Sequence, residues 1–200
     1  LSRPASGETK TISLVNSLAP ENAKLHYCHI SSTDSFSAMK PGSTFEVAPH
    51  HLFLSYETAK NAADTHMRMN PPLREESERK RLLAAFDKID VIASDHAPHT
   101  IKEKSAEFAS APSGIPGVET MLPLLMNEVH AGRMNLNAVI EKTVTNPNRI
   151  LGIESPAFMP GARADFAVYA DSPIKIDAEN LHSKCGWSPY EGMYGLFPEI

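Results

Sequence analysis

DVIASDHAPHT, residues 90 to 100, decides how this chain is read. Its apolar run delivers Asp95, His96 and His99 together to a turn holding Pro98. The run is short and rich in β-branched residues, as a buried strand is. Titratable side chains just past a strand end are where an α/β barrel carries its chemistry. A carboxylate there can bind a metal and exchange a proton with a water that the metal has acidified. A lone Asp-His pair is more often a polar loop capping a helix. The full SDHAPH string weighs against that.

Upstream, EESERKRLLAAFDKI (75 to 89) places Leu82, Leu83, Phe86 and Ile89 on one helical face and feeds directly into the strand. KLHYCHIS (24 to 31) and STFEVA (43 to 48) read as two further strands joined by a short crossover. Before them, ETKTISLVNSLA (8 to 19) sets Ile12, Val15 and Leu18 at helical spacing, with Pro20 closing the pattern. Downstream, 117 to 132 and 135 to 145 carry helical patterns, the second capped by Asn135 and stopped by Pro147. ADFAVYA (164 to 170) reads as one more strand. Strands alternating with helices predict an α/β protein with a parallel sheet, in the manner of a barrel with its site at the strand-end rim. An eight-stranded barrel takes about 250 residues, and only about three barrel strands are legible in these 200.

Composition narrows the function. The chain is 42% hydrophobic and 22% charged, enough for a sizeable core. Its net charge of -5 comes without a basic cluster, which argues against nucleic acid. No apolar run approaches the ~20 residues that span a bilayer, and the first ten residues hold no apolar signal core, so a cytoplasmic location is expected. Two distant cysteines, Cys28 and Cys185, are expected to be reduced thiols.

Several further segments carry candidate chemistry. In LHYCHIS, His26 and Cys28 point one way along the strand and His29 the other. His29, nearest the strand end, is the better metal ligand. FEVAPHHLFLS ends the second strand with Glu46, His50 and His51. Adjacent histidines diverge, so at least one is expected to be structural. MRMNPPLR is a Pro-stiffened loop that fixes Asn70, whose amide can both donate and accept hydrogen bonds. SGIPGVET opens a helix with backbone N–H groups suited to substrate oxygens, or simply starts that helix.

In this order, CHISS, EVAPHHLFLS, NPPLR, SDHAPHT, GIPGVETMLPLL and NPNRILGI resemble the signature segments of dihydroorotases in the amidohydrolase superfamily. The resemblance covers nearly the whole chain and corresponds to the carboxyl-terminal half of such an enzyme. It implies a zinc-dependent (β/α)8 TIM barrel that reversibly hydrolyses (S)-dihydroorotate to N-carbamoyl-L-aspartate in pyrimidine biosynthesis, with two zinc ions per complete site. By that resemblance His29 and Asp95 are metal ligands, and Asp95 is also the catalytic proton carrier. Asn70 and His99 bind substrate, the backbone of Pro116 and Gly117 lines the pocket, and Glu46 matches the ligand of an additional metal in some relatives.

The departures matter equally. The family's His-x-His pair, its bridging carboxylated lysine or aspartate, a further histidine ligand and a substrate-binding arginine and asparagine have no counterpart here. The interval from His29 to Glu46 is shorter than usual, as if the crossover helix were trimmed. The expectation is a fragment inactive by itself, with residues 1 to 160 a partial barrel and 161 to 200 a partial β-sandwich or tail. Its expected partners are the missing amino-terminal portion, a second copy, or aspartate carbamoyltransferase. The rival readings are another cyclic amidohydrolase, such as a hydantoinase or allantoinase, and a non-catalytic assembly subunit.

Overall fold

The computed structural model describes residues 3 to 59, 64 to 154 and 159 to 199. At its centre lie three strands, β1 (His26–Tyr27), β2 (Thr44–Val47) and β3 (Val91–Ile92), all parallel and in the order β1-β2-β3. The register pairs Tyr27 with Phe45 and Val47 with Ile92. Backbone bonds carry the pairing past the formal ends, Ile30 N–H donating to Glu46 O and Ala93 N–H to Val47 O. Asp90 sets the register at the other end: its carboxylate accepts from Phe45 N–H at 3.0 Å.

Alternation sorts the side chains. Tyr27, Phe45 and Val47 are buried and pack with Ile12, Leu82, Phe86, Leu125 and Val139 in one apolar core. Ile12, Leu82, Leu125 and Val139 come from α1 (Ala5–Leu18), α3 (Glu76–Ala84), α5 (Val118–His130) and α6 (Leu136–Ile140), and Phe86 from the 3-10 turn Phe86–Lys88 that follows α3. Two shorter helices complete the rim, α2 (Pro49–Phe53) after β2 and α4 (Ile101–Lys104) after the DHAPH turn. The crossover between β1 and β2 is a single 3-10 stretch, Thr33–Ala38, in agreement with a trimmed helix.

The amphipathic reading of 75 to 89 holds: Leu82, Phe86 and Ile89 are all buried. In α1 only Ile12 is buried, while Val15 and Leu18 stay exposed. Asn135 caps α6 by accepting from the Asn137 and Ala138 amides. Pro147 does not stop that helix. A π-helical turn, Glu141–Thr145, shifts the bonding register so that Pro147 falls in the first turn of α7 (Asn146–Leu151), where no donor is needed. The π turn and the residue after it reach back to the two residues that lead into β3, with Lys142 Nζ donating to Ile89 O and Asn146 Nδ2 to Asp90 O.

ADFAVYA does not form a strand. Its residues 164 to 168 are exposed, and its one ladder contact is an antiparallel bridge from Tyr169 to Pro198. A strand is completed by partners distant in sequence, and among the described residues only this short edge meets it. The tail instead forms a two-stranded antiparallel ribbon, β4 (Ile174–Lys175) with β5 (Tyr194–Gly195). Ile176, Trp187 and Tyr190 then pack with Leu54, Met69, Leu73, Ile115 and Leu124 in a second core.

Candidate active site and its metal ligands

His29 and Asp95 each sit just beyond a parallel strand. Both are left-handed, with φ of 43° and 45°, and among the described residues they are the only non-glycine residues with positive φ. Such a backbone costs about 1–3 kcal/mol and persists where the surroundings enforce it. The strain therefore falls on the two residues that the sequence singles out as ligands.

His50 packs beside them, with its Nε2 3.8 Å from Asp95 Oδ2. Burial pushes the Asp95 carboxyl above its ordinary range; the charge of His29 opposes this and that of Glu46 adds to it. His50 is fully buried, and desolvation followed by the neighbouring His29 lowers its pKa to about 3. His51 is lowered well below the ordinary value, again by burial first. Both rings are therefore neutral at pH 7. His29 Nδ1 and both ring nitrogens of His50 and His51 are buried without a hydrogen-bond partner.

A second group lies one layer down, on the sheet face turned away from the helices. Ligand atoms of His26, Cys28 and Glu46 come within 4.8 Å of one another. His26 Nε2 meets Glu46 Oε2 at 3.1 Å and its Nδ1 meets the Thr44 hydroxyl at 2.8 Å. Burial and then Glu46 raise the Cys28 thiol. Burial first, and neighbouring negative charge after it, lift the Asp95 carboxyl and the Cys28 thiol, and a bound cation would oppose both shifts. The imidazole, thiol and carboxylate of His26, Cys28 and Glu46 are donor types that zinc accepts.

His99 and Asn70, expected from the sequence to bind substrate, lie in loops outside the sheet. His99 Nε2 meets Ser113 O at 3.2 Å, and Trp187 Nε1 donates to His99 O at 2.7 Å. Asn70 is exposed and its Oδ1 accepts from Arg3. The segments pack closely: Gly114 N–H donates to Arg68 O, and Ala97 N–H to Ile115 O. A Cβ on Gly114, whose φ is +132°, would stand 2.6 Å from Ala97 O, and one on Gly117 would stand 2.9 Å from Ser94 O. Glycine at both positions is thus set by the close approach of the two turns.

Pro116 and Gly117 are buried and line a cavity of about 230 Å³ with His96, Thr120 and Leu181, away from Asn70 and His99. The first amides of α5 are not free for a ligand. Gly117 N–H and Val118 N–H both donate to His96 Nδ1, so the loop is a helix start capped from within the chain. A larger groove of about 1180 Å³, lined by Leu122, Met126, Phe166 and Tyr169 among others, contains none of the predicted site residues. Sequence reasoning put His26 and Cys28 on one face but missed that Glu46 joins them. It also missed Lys104, which reads as part of a solvated charge run in IKEK.

No protein-family model matches the chain. Among solved structures, a D-hydantoinase from Thermus sp. superposes with a TM-score of 0.83 at 22% identity, covering 97% of this chain and 46% of that one. A Saccharomyces cerevisiae dihydroorotase in complex with 5-fluoroorotic acid gives a TM-score of 0.61 at 16% identity, over 74% of this chain and 43% of that one. These likenesses establish the fold alone, an α/β barrel represented in part. In sequence, a dihydroorotase of Archaeoglobus fulgidus is 43% identical over 182 residues, 90% of this chain and 44% of the relative. One from Methanosarcina acetivorans is 35% identical, over 98% of this chain and 45% of the relative. The chain is similar in sequence to dihydroorotases over most of its own length, and it spans less than half the length of the curated relatives it matches.

Proposed function

We propose that the chain supplies part of the active site of a dihydroorotase, which reversibly hydrolyses (S)-dihydroorotate to N-carbamoyl-L-aspartate in the cytoplasm. The observation that carries this is the pairing of His29 and Asp95. They lie just past the ends of β1 and β3, the two parallel strands that flank β2, in strained left-handed backbone, within a sequence 43% identical to a dihydroorotase.

In this reading His29 and Asp95 hold zinc, and His26, Cys28 and Glu46 form an additional cation site. Zinc, when bound, supplies Lewis acidity and an acidified water. Asp95 carries the proton: burial raises its carboxyl above the ordinary range, which favours its taking up a proton and passing it on. Neutral His50 beside it leaves the proton on the carboxyl rather than competing for it. Asn70 and His99 orient the ring amide. A catalytic zinc site uses three protein ligands or more. We therefore place the remaining ligands, the second zinc's included, in the part of the relatives that this chain does not match. Residues 1 to 160 then form the partial barrel and 161 to 200 a partial β-sandwich that the same missing part completes.

The test is zinc content and turnover, for this chain and for the protein at its full natural length. Stoichiometric zinc and dihydroorotate turnover in the full-length protein alone support the reading. Turnover of hydantoin or allantoin in place of dihydroorotate would reassign the substrate. Zinc-free, inactive full-length protein would leave an assembly subunit, and full activity in the 200-residue chain would refute the divided site.

A further inference from the structure

Lys104 is completely buried, and its ammonium group has three hydrogen-bond donors and no acceptor. All three donors go to backbone carbonyls, at 3.0 Å to Arg68 O, 3.1 Å to Pro112 O and 3.0 Å to Gly114 O. The group also lies 5.6 Å over the ring of Trp187. Desolvation, with Arg68 alongside, draws its pKa down to about 8, so it still carries its proton at neutral pH.

The three carbonyls are not arbitrary. Pro112 and Gly114 flank Ser113, whose own carbonyl receives the His99 ring. Arg68 lies two residues ahead of Asn70 and also accepts the Gly114 amide. Trp187, under the ammonium, donates its indole N–H to the His99 carbonyl. Thr65 donates to the backbone oxygen of Lys104 itself, which fixes the stem of the side chain. One cation therefore ties together the loop that seats His99, the segment that presents Asn70 and the indole that holds the His99 backbone.

We propose that Lys104 is a positioning residue for substrate binding: it gathers the 68, 112 and 114 carbonyls and so sets the placement of His99 and Asn70. This rests on the substrate-binding roles given to those two residues above. Lysine is specified by shape, because a compact ammonium satisfies three converging oxygens, whereas the planar fork of arginine does not. With all its donors engaged it is neither nucleophile nor base. Its effect passes through the two residues it places.

The experiment compares the protein with its Lys104→Met and Lys104→Gln variants by two readouts. Amide exchange and the His99 ring resonances report on the clamp directly. Steady-state kinetics on dihydroorotate, in the full-length protein, reports on substrate binding. In Lys104→Met the Gly114 amide should exchange at least about tenfold faster with the centre of α5 unchanged, and the His99 ring signal should move. KM should rise about tenfold or more while kcat stays within about threefold, the signature of lost uniform binding. Lys104→Gln, which keeps two donors, should fall between the two proteins. Unchanged His99 signals and KM, or a loss of kcat with KM preserved, would overturn the proposal. So would failure of both variants to fold, which would make the role structural. If the unsubstituted protein does not turn over dihydroorotate, the proposed function fails, and the exchange and ring signals still decide whether the clamp exists.

Discussion

The two faces of the three-stranded sheet belong to different environments. On one, Tyr27, Phe45 and Val47 lie in a core supplied entirely by this chain's own helices. On the other, His26, Cys28 and Glu46 stand half-buried or exposed, with polar contacts to one another. A strand pattern of period two sorts residues onto the faces, but the chain completes only the first of them. The apolar face accounts for why this much chain folds. The polar face and the rim above it hold the groups with chemistry, together with the strained backbone and unpartnered nitrogens that packing alone does not require.

That contrast predicts that rim substitutions change chemistry while core substitutions change stability. The largest effect is expected from Asp95→Asn, which should lower turnover of the full-length protein by about 10³-fold or more. Because burial already disfavours the charged carboxylate, thermal unfolding of the metal-free variant should show stability equal to or slightly above the original. Retained activity would sink the assignment. Next comes Leu82→Ala on the helix side. Leu82 is fully buried, so denaturant melts should show a loss of about 2–5 kcal/mol, with zinc stoichiometry unchanged in whatever remains folded.

The third effect depends on pH. His50 has a folded pKa of about 3 against 6.5, and His51 is lowered in the same direction. The unfolded chain therefore takes up these protons first. Their stabilising contribution is full above pH 6.5 and is lost as pH falls through the window towards 3, at up to about 1.4 kcal/mol per pH unit for each ring. Asp95, raised rather than lowered, opposes this as pH falls through its folded range towards the ordinary carboxylate value, but is one group against two. A melting profile flat from pH 6.5 to 4 would show that the rings are not buried neutral. The smallest effect is expected from Cys28→Ser on the open face, under about 1 kcal/mol of stability. Its consequence should appear in zinc titration, as weakened binding at one site and unchanged binding at the other.

Local signals made the helical side readable. Amphipathic spacing in 75 to 89 marks Leu82, Phe86 and Ile89, and the structure buries all three. The cap at Asn135 is likewise a short-range hydrogen bond that sequence can announce. Strand ends were legible as places, which brought out His29 and Asp95. Misreadings came where a distant partner decides. Pro147 ends a helix by local rules, but a π turn anchored on the Ile89 carbonyl, just ahead of β3, carries the helix past it. ADFAVYA alternates like a strand but meets only the edge at 198 to 199.

By itself, the sequence determined the order of parallel strands and helices, the apolar face that packs them, and which acids and histidines arrive at strand ends, because these follow from spacing along the chain. Only the tertiary structure decided that His29 and Asp95 turn left-handed beside His50, that Glu46 closes on His26 and Cys28, and that a lysine in a charged run is buried among three carbonyls. These are meetings between segments far apart in sequence, and no local periodicity encodes them.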